Sequence, residues 1–524
     1  MIFTIDDLQI PARRASADID SHLLPHILRY TGLRENDIVG YRIVRRGVDA
    51  RNLRGQGVCL TYRIHLEVRN GAYLRCKHIP AQPLETYIPC RKSNLKNPIV
   101  VGAGPAGLFA AYVFALAGCC PVVLERGYDV DKRHDDIERF FKTRQLDEES
   151  NLLYGEGGAG TWSDGKLFTR INDPRIDFVL KTFAECGAPQ EIRYFSHPHI
   201  GSDLLPGVIR NLRNRIISLG GSFLWGKAVD SILIRNNRCG GVVLKSGETL
   251  EAPAVMIATG HSARNLILRM IDQNIGYTMK GFQIGVRIEH PQQLINQGQY
   301  GVPDSYPCLG AADYSISAVP PDKKGSGVTS FCMCPGGEVI PATAEQNHLR
   351  TNGMSCYARD GEFANSALVT SFAPGIFATP SEAFEFLSAI EKKIFLAGGK
   401  DYTFPVQTAR DFLRSTGSNT ASKWKTSCRL GITPERLDKL LPEQLVRALH
   451  FALPRFDKRL PGFIEDGLLI GAETSVSSPV RFLRDETTLS STLPGLWIAG
   501  EGAGCAGGIT SAAVDGIRLA EKAI

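Results

Sequence analysis

A chain of 524 residues exceeds what one compact core holds and is expected to divide into several domains. Apolar residues make up 43 % and charged residues 22 %, which excludes disorder on a large scale, and no apolar run approaches the ~20 residues needed to cross a bilayer. The net charge of +6 is uneven: residues 1–96 hold 16 Lys and Arg against 9 Asp and Glu, so all the basic excess lies there.

The opening stretch MIFTIDDLQIPARR lacks the basic-then-apolar order of a secretory signal, and thirteen irregularly spaced cysteines fit reduced thiols; both point to the cytoplasm. Residues 1–92 read as a small α+β unit with a strand near Phe3–Ile5, a helix near Asp20–Tyr30 and strands around Asp37–Arg45 and Cys59–Val68. In the last, Leu60, Tyr62, Ile64, Leu66 and Val68 alternate with polar residues, the period of a sheet with one wet face. Its densest basic run, Arg42, Arg45, Arg46, Arg51 and Arg54, reads as a solvated face or a place for an acidic partner such as a ferredoxin- or flavodoxin-type carrier. Nucleic acid is not expected, since no recognition motif and no block of like charges is present. Arg91 to Asn97 reads as a linker.

The segment PIVVGAGPAGLFAAYVFALAGCCPVVLERG reads as strand, glycine turn, helix and strand. Gly102, Gly104 and Gly107 match G-x-G-x-x-G, followed by Pro105 and Ala106 at the helix start. Gly102 permits a tight turn, Gly104 lets a pyrophosphate reach the backbone, and Gly107 lets helix pack on strand. Glu125, followed by Arg126, ends the second strand where a carboxylate meets an adenosine ribose. Cys119 and Cys120 read as small core residues.

Three later segments select FAD, bound without a covalent link, over NAD. Tyr154–Arg170 is a glycine-rich loop whose Gly158, Ser163, Gly165, Lys166 and Leu167 suit a pyrophosphate or a flavin edge. Residues 222–260 read as a β-meander containing Val229 and ending in Ala258, Thr259 and Gly260, small residues that let the chain pass beneath a cofactor. Pro494–Gly516 reads as a strand, an acid and a glycine-led helix: Gly500, Glu501, Gly507, Gly508 and Ile509 are placed to meet ribityl hydroxyls and to aim a helix N-terminus at the ring.

First and last thirds must then share one sheet. The expected fold is α/β: a three-layer, Rossmann-type FAD-binding domain split between residues 97–280 and 466–524, an inserted mixed β-sheet substrate domain over 281–465, and the amino-terminal unit. The insertion opens with Phe282, Ile284, Val286 and Ile288 in strand alternation and includes helical stretches at Ser381–Ala397 and Pro434–Ala452.

With these segments in view, the chain resembles a bacterial family known only as uncharacterised FAD-dependent dehydrogenases, related to geranylgeranyl-reductase and p-hydroxybenzoate-hydroxylase flavoproteins. The resemblance runs nearly end to end, through RRGVDAR at Arg45–Arg51, GEGGAGTWSDGKL at Gly155–Leu167, GHSAR at Gly260–Arg264, IGVRIEHPQ at Ile284–Gln292, FCMCPGGEV at Phe331–Val339, TNGMS at Thr351–Ser355 and SSPVR at Ser477–Arg481. Asn265 stands where Asp is expected, and ETSVSSP at Glu473–Pro479 lacks an arginine that relatives tend to carry.

By that resemblance FCMCPGG crosses the flavin face, which makes Cys332, Cys334 and Glu473 the candidate catalytic groups. The two cysteines are expected on opposite sides of a strand, with no disulfide and one thiol toward the cavity. Glu289 and His290 invite an acid–base role or a structural one, and His197 and His199 read as loop residues. No metal site is expected. No second dinucleotide motif occurs, so electrons must come from transiently docked NAD(P)H, a carrier protein or a small-molecule substrate. The leading expectation is a FAD-dependent dehydrogenase or reductase; the alternatives are a flavin monooxygenase and an RNA-associated flavoprotein or redox sensor.

Overall fold

The computed structural model describes residues 1–524 except 52, 54–56, 82–86, 90–91, 322–325 and 418–423. Arg54 and Arg91 therefore lie outside the described residues. Residues 1–80 form an antiparallel sheet in the spatial order Ile38–Asp49, Cys59–Val68, Ile2–Pro11, Ile79–Pro80. The alternation in Cys59–Val68 works as read: Leu60, Tyr62, Ile64, Leu66 and Val68 are all at most 1 % exposed. They pack with Ile19 of a short 3-10 turn, Leu23 just after it and Ile27 of the helix Leu24–Thr31.

The central sheet is parallel and five-stranded, in the order Leu496–Ile498, Val255–Ile257, Ile99–Val101, Val122–Leu124, Ser222–Leu224. One strand from the end of the chain thus lies beside strands from its first half, as expected. The helix Pro105–Leu116 is apolar all round because it is enclosed by this sheet and by the helices Leu205–Ser218 and Ile509–Ala523. Closeness demands glycine twice: a β-carbon on Gly107 would lie 1.9 Å from the Gly102 carbonyl oxygen, and one on Gly516 2.1 Å from that of Ala106.

Two expectations need correction here. Residues 222–260 are not one meander: Ser222–Leu224 and Val255–Ile257 are strands of the parallel sheet, and only Val229–Arg235, Arg238–Leu244 and Thr249–Glu251 form an antiparallel set. Their short lengths hid that pairing, since a three-residue strand has no readable period. The helical reading at 434–452 is broken by Pro442, which caps Glu443–Arg459 after the short helix Leu437–Leu440.

The inserted unit is built on a seven-stranded mixed sheet, ordered Ser317–Ala318, Val328–Cys334, Phe363–Phe372, Phe282–Pro291, Leu468–Glu473, Phe404–Thr408, Ile432–Pro434. Leu468–Glu473 is a middle strand of it, so the sheet continues past the boundary expected at residue 465. Both faces are covered, which is why Arg287 and Glu289 are buried alongside Val286 and Ile288. A ribbon of Gly337–Pro341 and Thr351–Ser355 packs against the sheet.

Candidate functional site

A cavity of about 810 Å³ runs between the parallel sheet and the seven-stranded sheet. Its size is that of a large-ligand site. Gly104 and Gly508, the two glycines at helix N-termini, both line it, so the two halves of the expected cofactor cradle meet in one groove.

The glycine turn is set by contact. Gly102 has φ +100, and a β-carbon there would lie 2.5 Å from the Ala258 carbonyl oxygen. Gly104 caps the helix with Pro105 at its first position, and its own β-carbon would meet only Gly158, at 3.9 Å. The first amides of a helix lack intrahelical partners, so a pyrophosphate is matched in charge and reach. Glu125 is buried; its carboxylate accepts from the amides of Ala103 at 2.8 Å, Gly127 at 3.0 Å and Gly155 at 3.1 Å. Arg126 lies over the Tyr154 ring at 3.9 Å and bonds Glu149 at 2.7 Å.

The loop after Tyr154 folds over a buried arginine that the sequence did not single out. Arg133 donates to the carbonyls of Asn151, Glu156 and Gly158 at 2.8, 2.6 and 2.9 Å and lies over Trp162 at 4.4 Å. Burial pulls its guanidinium down to about 9. Its helix, Val130–Thr143, reads as an amphipathic surface helix, so no local signal betrays it. Ser163 bonds the Gly160 carbonyl at 2.7 Å, and Lys166 reaches Asp164 at 3.0 Å and the Met333 carbonyl. Asp164 also takes the Arg359 guanidinium; despite burial, the two cations hold its carboxyl below the usual range.

On the far wall Thr510 Oγ1 donates to the Leu167 carbonyl at 2.7 Å, tying the last helix to this loop. The Gly500 amide donates to Asp515, itself bidentate with Arg484 at 2.8 Å. His261 Nδ1 lies 2.8 Å from Glu501 Oε2, out of line for a hydrogen bond.

Of the expected cofactor residues, Gly102, Gly104, Pro105, Ala106, Glu125, Arg126, Gly158, Ser163, Gly165, Lys166, Val229, Ala258, Thr259, Gly260, Glu501, Gly507, Gly508 and Ile509 line the cavity. Gly107, Leu167 and Gly500 stand behind it: the first allows helix to touch strand, the second is buried, and the third anchors the closing turn.

The roof comes from the inserted unit, through Phe331, Cys332, Asn352, Glu473, Ser475 and Val476. The expected opposite-facing cysteines need a different account, because residues two apart in a regular strand share a face. Their separation comes from a bulge: register breaks between Phe331 and Cys334, and Cys332 has φ +46. Cys332 lines the cavity, whereas Cys334 is fully buried behind it with Lys166 Nζ 4.0 Å from its sulfur. A hydrogen bond from Cys334, with Lys166 and Arg287 nearby, draws the Cys332 thiol down against the cost of burial. The same bond and burial push Cys334 up. Both thiols are free.

Glu473 is not a loose acid. Arg287 grips both its oxygens, at 2.8 and 3.0 Å, and Thr351 adds a bond at 2.9 Å. Glu289 and His290 lie away from the cavity: Glu289 accepts from the Ser427 amide, and His290 Nε2 pairs with the Phe463 carbonyl at 2.8 Å. His199 bonds the Tyr357 carbonyl at 2.9 Å. Among the described residues, Glu345, His348 and Glu391 bring ligand atoms within 4.8 Å of one another, a grouping their spacing in the chain did not reveal. Each inner partner is already engaged: Glu391 by Arg264 and Arg350, and His348 by the Gln346 carbonyl and Ser388.

A parallel sheet, two glycine-led helices facing one groove and a sheet roofing it define a FAD-dependent flavoprotein, and comparison with known proteins agrees. Residues 281–476 match the family described as FAD-dependent protein, C-terminal domain-like. A Clostridium beijerinckii protein described only as uncharacterised is 40 % identical over 519 residues, which is 97 % of each chain. The chain belongs to the family of these FAD-dependent proteins. Similarity to solved structures is remote. A geranylgeranyl bacteriochlorophyll reductase-like protein from Thermoplasma acidophilum is 12 % identical, with TM-score 0.34 over 81 % of this chain and 77 % of its own. L-proline dehydrogenase from P. horikoshii is 10 % identical, with TM-score 0.34 over 82 % and 93 %. Scores this low add nothing to the family assignment. Among the described residues, no helix is long and apolar enough to cross a membrane.

Proposed function

We propose that the chain is a FAD-dependent oxidoreductase, a dehydrogenase or reductase, passing electrons between its cofactor and an organic substrate held under the seven-stranded sheet. The observation that carries this reading is the continuity of one cavity from Glu125, through the glycine turn, to Ile509 and the roof at Cys332. FAD supplies the hydride or electron chemistry when bound.

The protein's part is to bind, orient and manage protons. The helix starts at Pro105 and Ile509 turn positive ends toward the cavity, where they would hold the pyrophosphate and the ring edge of the cofactor. Arg287 and Glu473 neutralise each other and keep the roof rigid. Cys332 Sγ, alone of the three candidate catalytic groups, is both at the cavity wall and free of a strong ion pair, so it is the group placed to hold or release a proton there. NAD(P)H docking transiently, or a carrier protein, supplies electrons.

Anaerobic mixing of the yellow protein with NADH, NADPH and reduced ferredoxin in turn tests the reading. Bleaching of the flavin absorbance by at least one donor, without oxygen, is the expected result. A flavin that no donor reduces would sink it, and donor-dependent oxygen uptake coupled to substrate would replace it with monooxygenation.

A further inference from the structure

The basic strand of the amino-terminal unit runs beside the cavity mouth. Arg46 donates its amide to the Tyr194 carbonyl at 2.7 Å and accepts the Ser196 amide at 2.8 Å, so the strand Ile38–Asp49 extends onto the segment 194–199. The other end of that segment pairs with the cavity wall: the Leu167 amide donates to the Pro198 carbonyl at 2.8 Å, and Lys166 bridges to His199. Arg45 Nε reaches Ser196 Oγ at 2.9 Å, and the next residue, His197, meets Phe168 edge-on at 5.2 Å. Phe168 lines the cavity yet is 54 % exposed, and Phe331, on the roof beside Cys332, is 39 % exposed.

The mouth therefore joins two exposed aromatic rings to a basic strand edge where Arg42 and Arg45 face solvent. Exposed aromatics rimmed by charge mark an interaction surface more than an ordinary wet face. The excess positive charge of residues 1–96 against a slightly acidic remainder selects the sign of the partner.

Resting on the oxidoreductase reading above, we infer that this rim, Arg42, Arg45, His197, Phe168 and Phe331, docks an acidic one-electron carrier protein that exchanges electrons with the cofactor through the mouth. Two carrier molecules, each oxidised by one electron, supply with two protons from solvent the two-electron equivalent held in the cavity. Arg46 does not belong to the docking set. It is turned inward to Asp20 at 2.7 Å, to the Cys308 carbonyl and to the Phe195 ring.

The test uses the FAD-loaded chain and an acidic plant-type [2Fe–2S] ferredoxin as probe. Under anaerobic stopped flow, the second-order rate of flavin reduction by reduced ferredoxin should fall about tenfold or more as salt rises from ~50 to ~200 mM, and by a similar factor in Arg42→Glu/Arg45→Glu. Labelled oxidised ferredoxin should bind the wild-type chain, with or without FAD, and lose that anisotropy change with the double variant. Reduction by dithionite should be unaltered in the variant, which also checks its fold and FAD content. Rates and binding indifferent to salt and to both substitutions overturn the docking surface. A flavin reduced by NAD(P)H but not by ferredoxin overturns it while leaving the oxidoreductase reading intact.

Discussion

At Gly102 the backbone conformation and the neighbouring Ala258 carbonyl both exclude a side chain. Gly102→Ala is therefore expected to cost about 1–3 kcal/mol and to abolish FAD retention, read from thermal unfolding and the absorbance of the purified protein. A variant that stays yellow and equally stable would contradict the turn geometry. The two cysteines offer a sharper contrast. Because the Cys332 thiol is drawn down and Cys334 pushed up, iodoacetamide should label Cys332 in the FAD-free protein at a lower pH than an ordinary thiol. Cys332→Ser should remove that phase, and Cys334→Ala should move its pH midpoint upward by removing the hydrogen bond. Labelling of wild type only in the usual thiol range would show that the pair does not activate Cys332.

At the scale of elements, the strand Phe282–Pro291 is stiffened by groups that burial forces to be satisfied or neutral. His290 is sealed against Phe463, and desolvation holds its imidazole down to about 4. A base whose folded value lies below its ordinary 6.5 binds fewer protons than the unfolded chain does between those two values. Its contribution to stability is therefore complete above pH ~6.5 and is lost as pH falls toward 4. His290→Gln should flatten that acid loss, measured as denaturant midpoints at pH 7 and pH 5. An unchanged pH slope would show that the loss arises elsewhere. The Glu391 cluster is the other stiff point: Arg264, Arg350 and Thr474 all converge on one buried carboxylate. It fixes the start of the helix Arg264–Asp272, whose first residues border the cavity.

For the molecule as a whole, the amino-terminal unit is fastened rather than tethered. Cys308, Tyr300, Tyr306 and Leu309 of the inserted unit pack into its core, and Arg46 closes the seam. Arg46→Ala should lower stability by about 1–3 kcal/mol and speed proteolysis between the two units, whereas Arg42→Ala should do neither. Equal resistance of both variants to limited proteolysis would refute the fastening role. The RRGVDAR motif thus splits by neighbour: one arginine belongs to the seam, the preceding one to the mouth.

How far the sequence could be read differs from one feature to the next. The dinucleotide turn was legible because it is local: Gly102, Gly104, Gly107 and Glu125 lie within one strand–helix–strand unit, and their chemistry follows from spacing alone. The same holds for the amphipathic strand Cys59–Val68, where a two-residue period records one wet face. Reading failed where partners are remote or elements short. The sheet's continuation past residue 465 was not legible because Leu468–Glu473 finds its neighbours far earlier in the chain, at Phe282–Pro291. Arg133 was missed because its three carbonyl partners lie on a loop that folds back over it.

What the amino-acid order alone determined was the expectation of a FAD cradle whose two halves come from the first and last thirds of the chain, since glycine placement and helix starts are local constraints on the backbone. Only the tertiary structure decided which cysteine reaches the cavity, that Glu473 is held by Arg287, and that a basic strand borders the opening. Those facts depend on a bulge, a buried ion pair and a domain seam, each made by residues far apart in sequence whose distances no local pattern encodes.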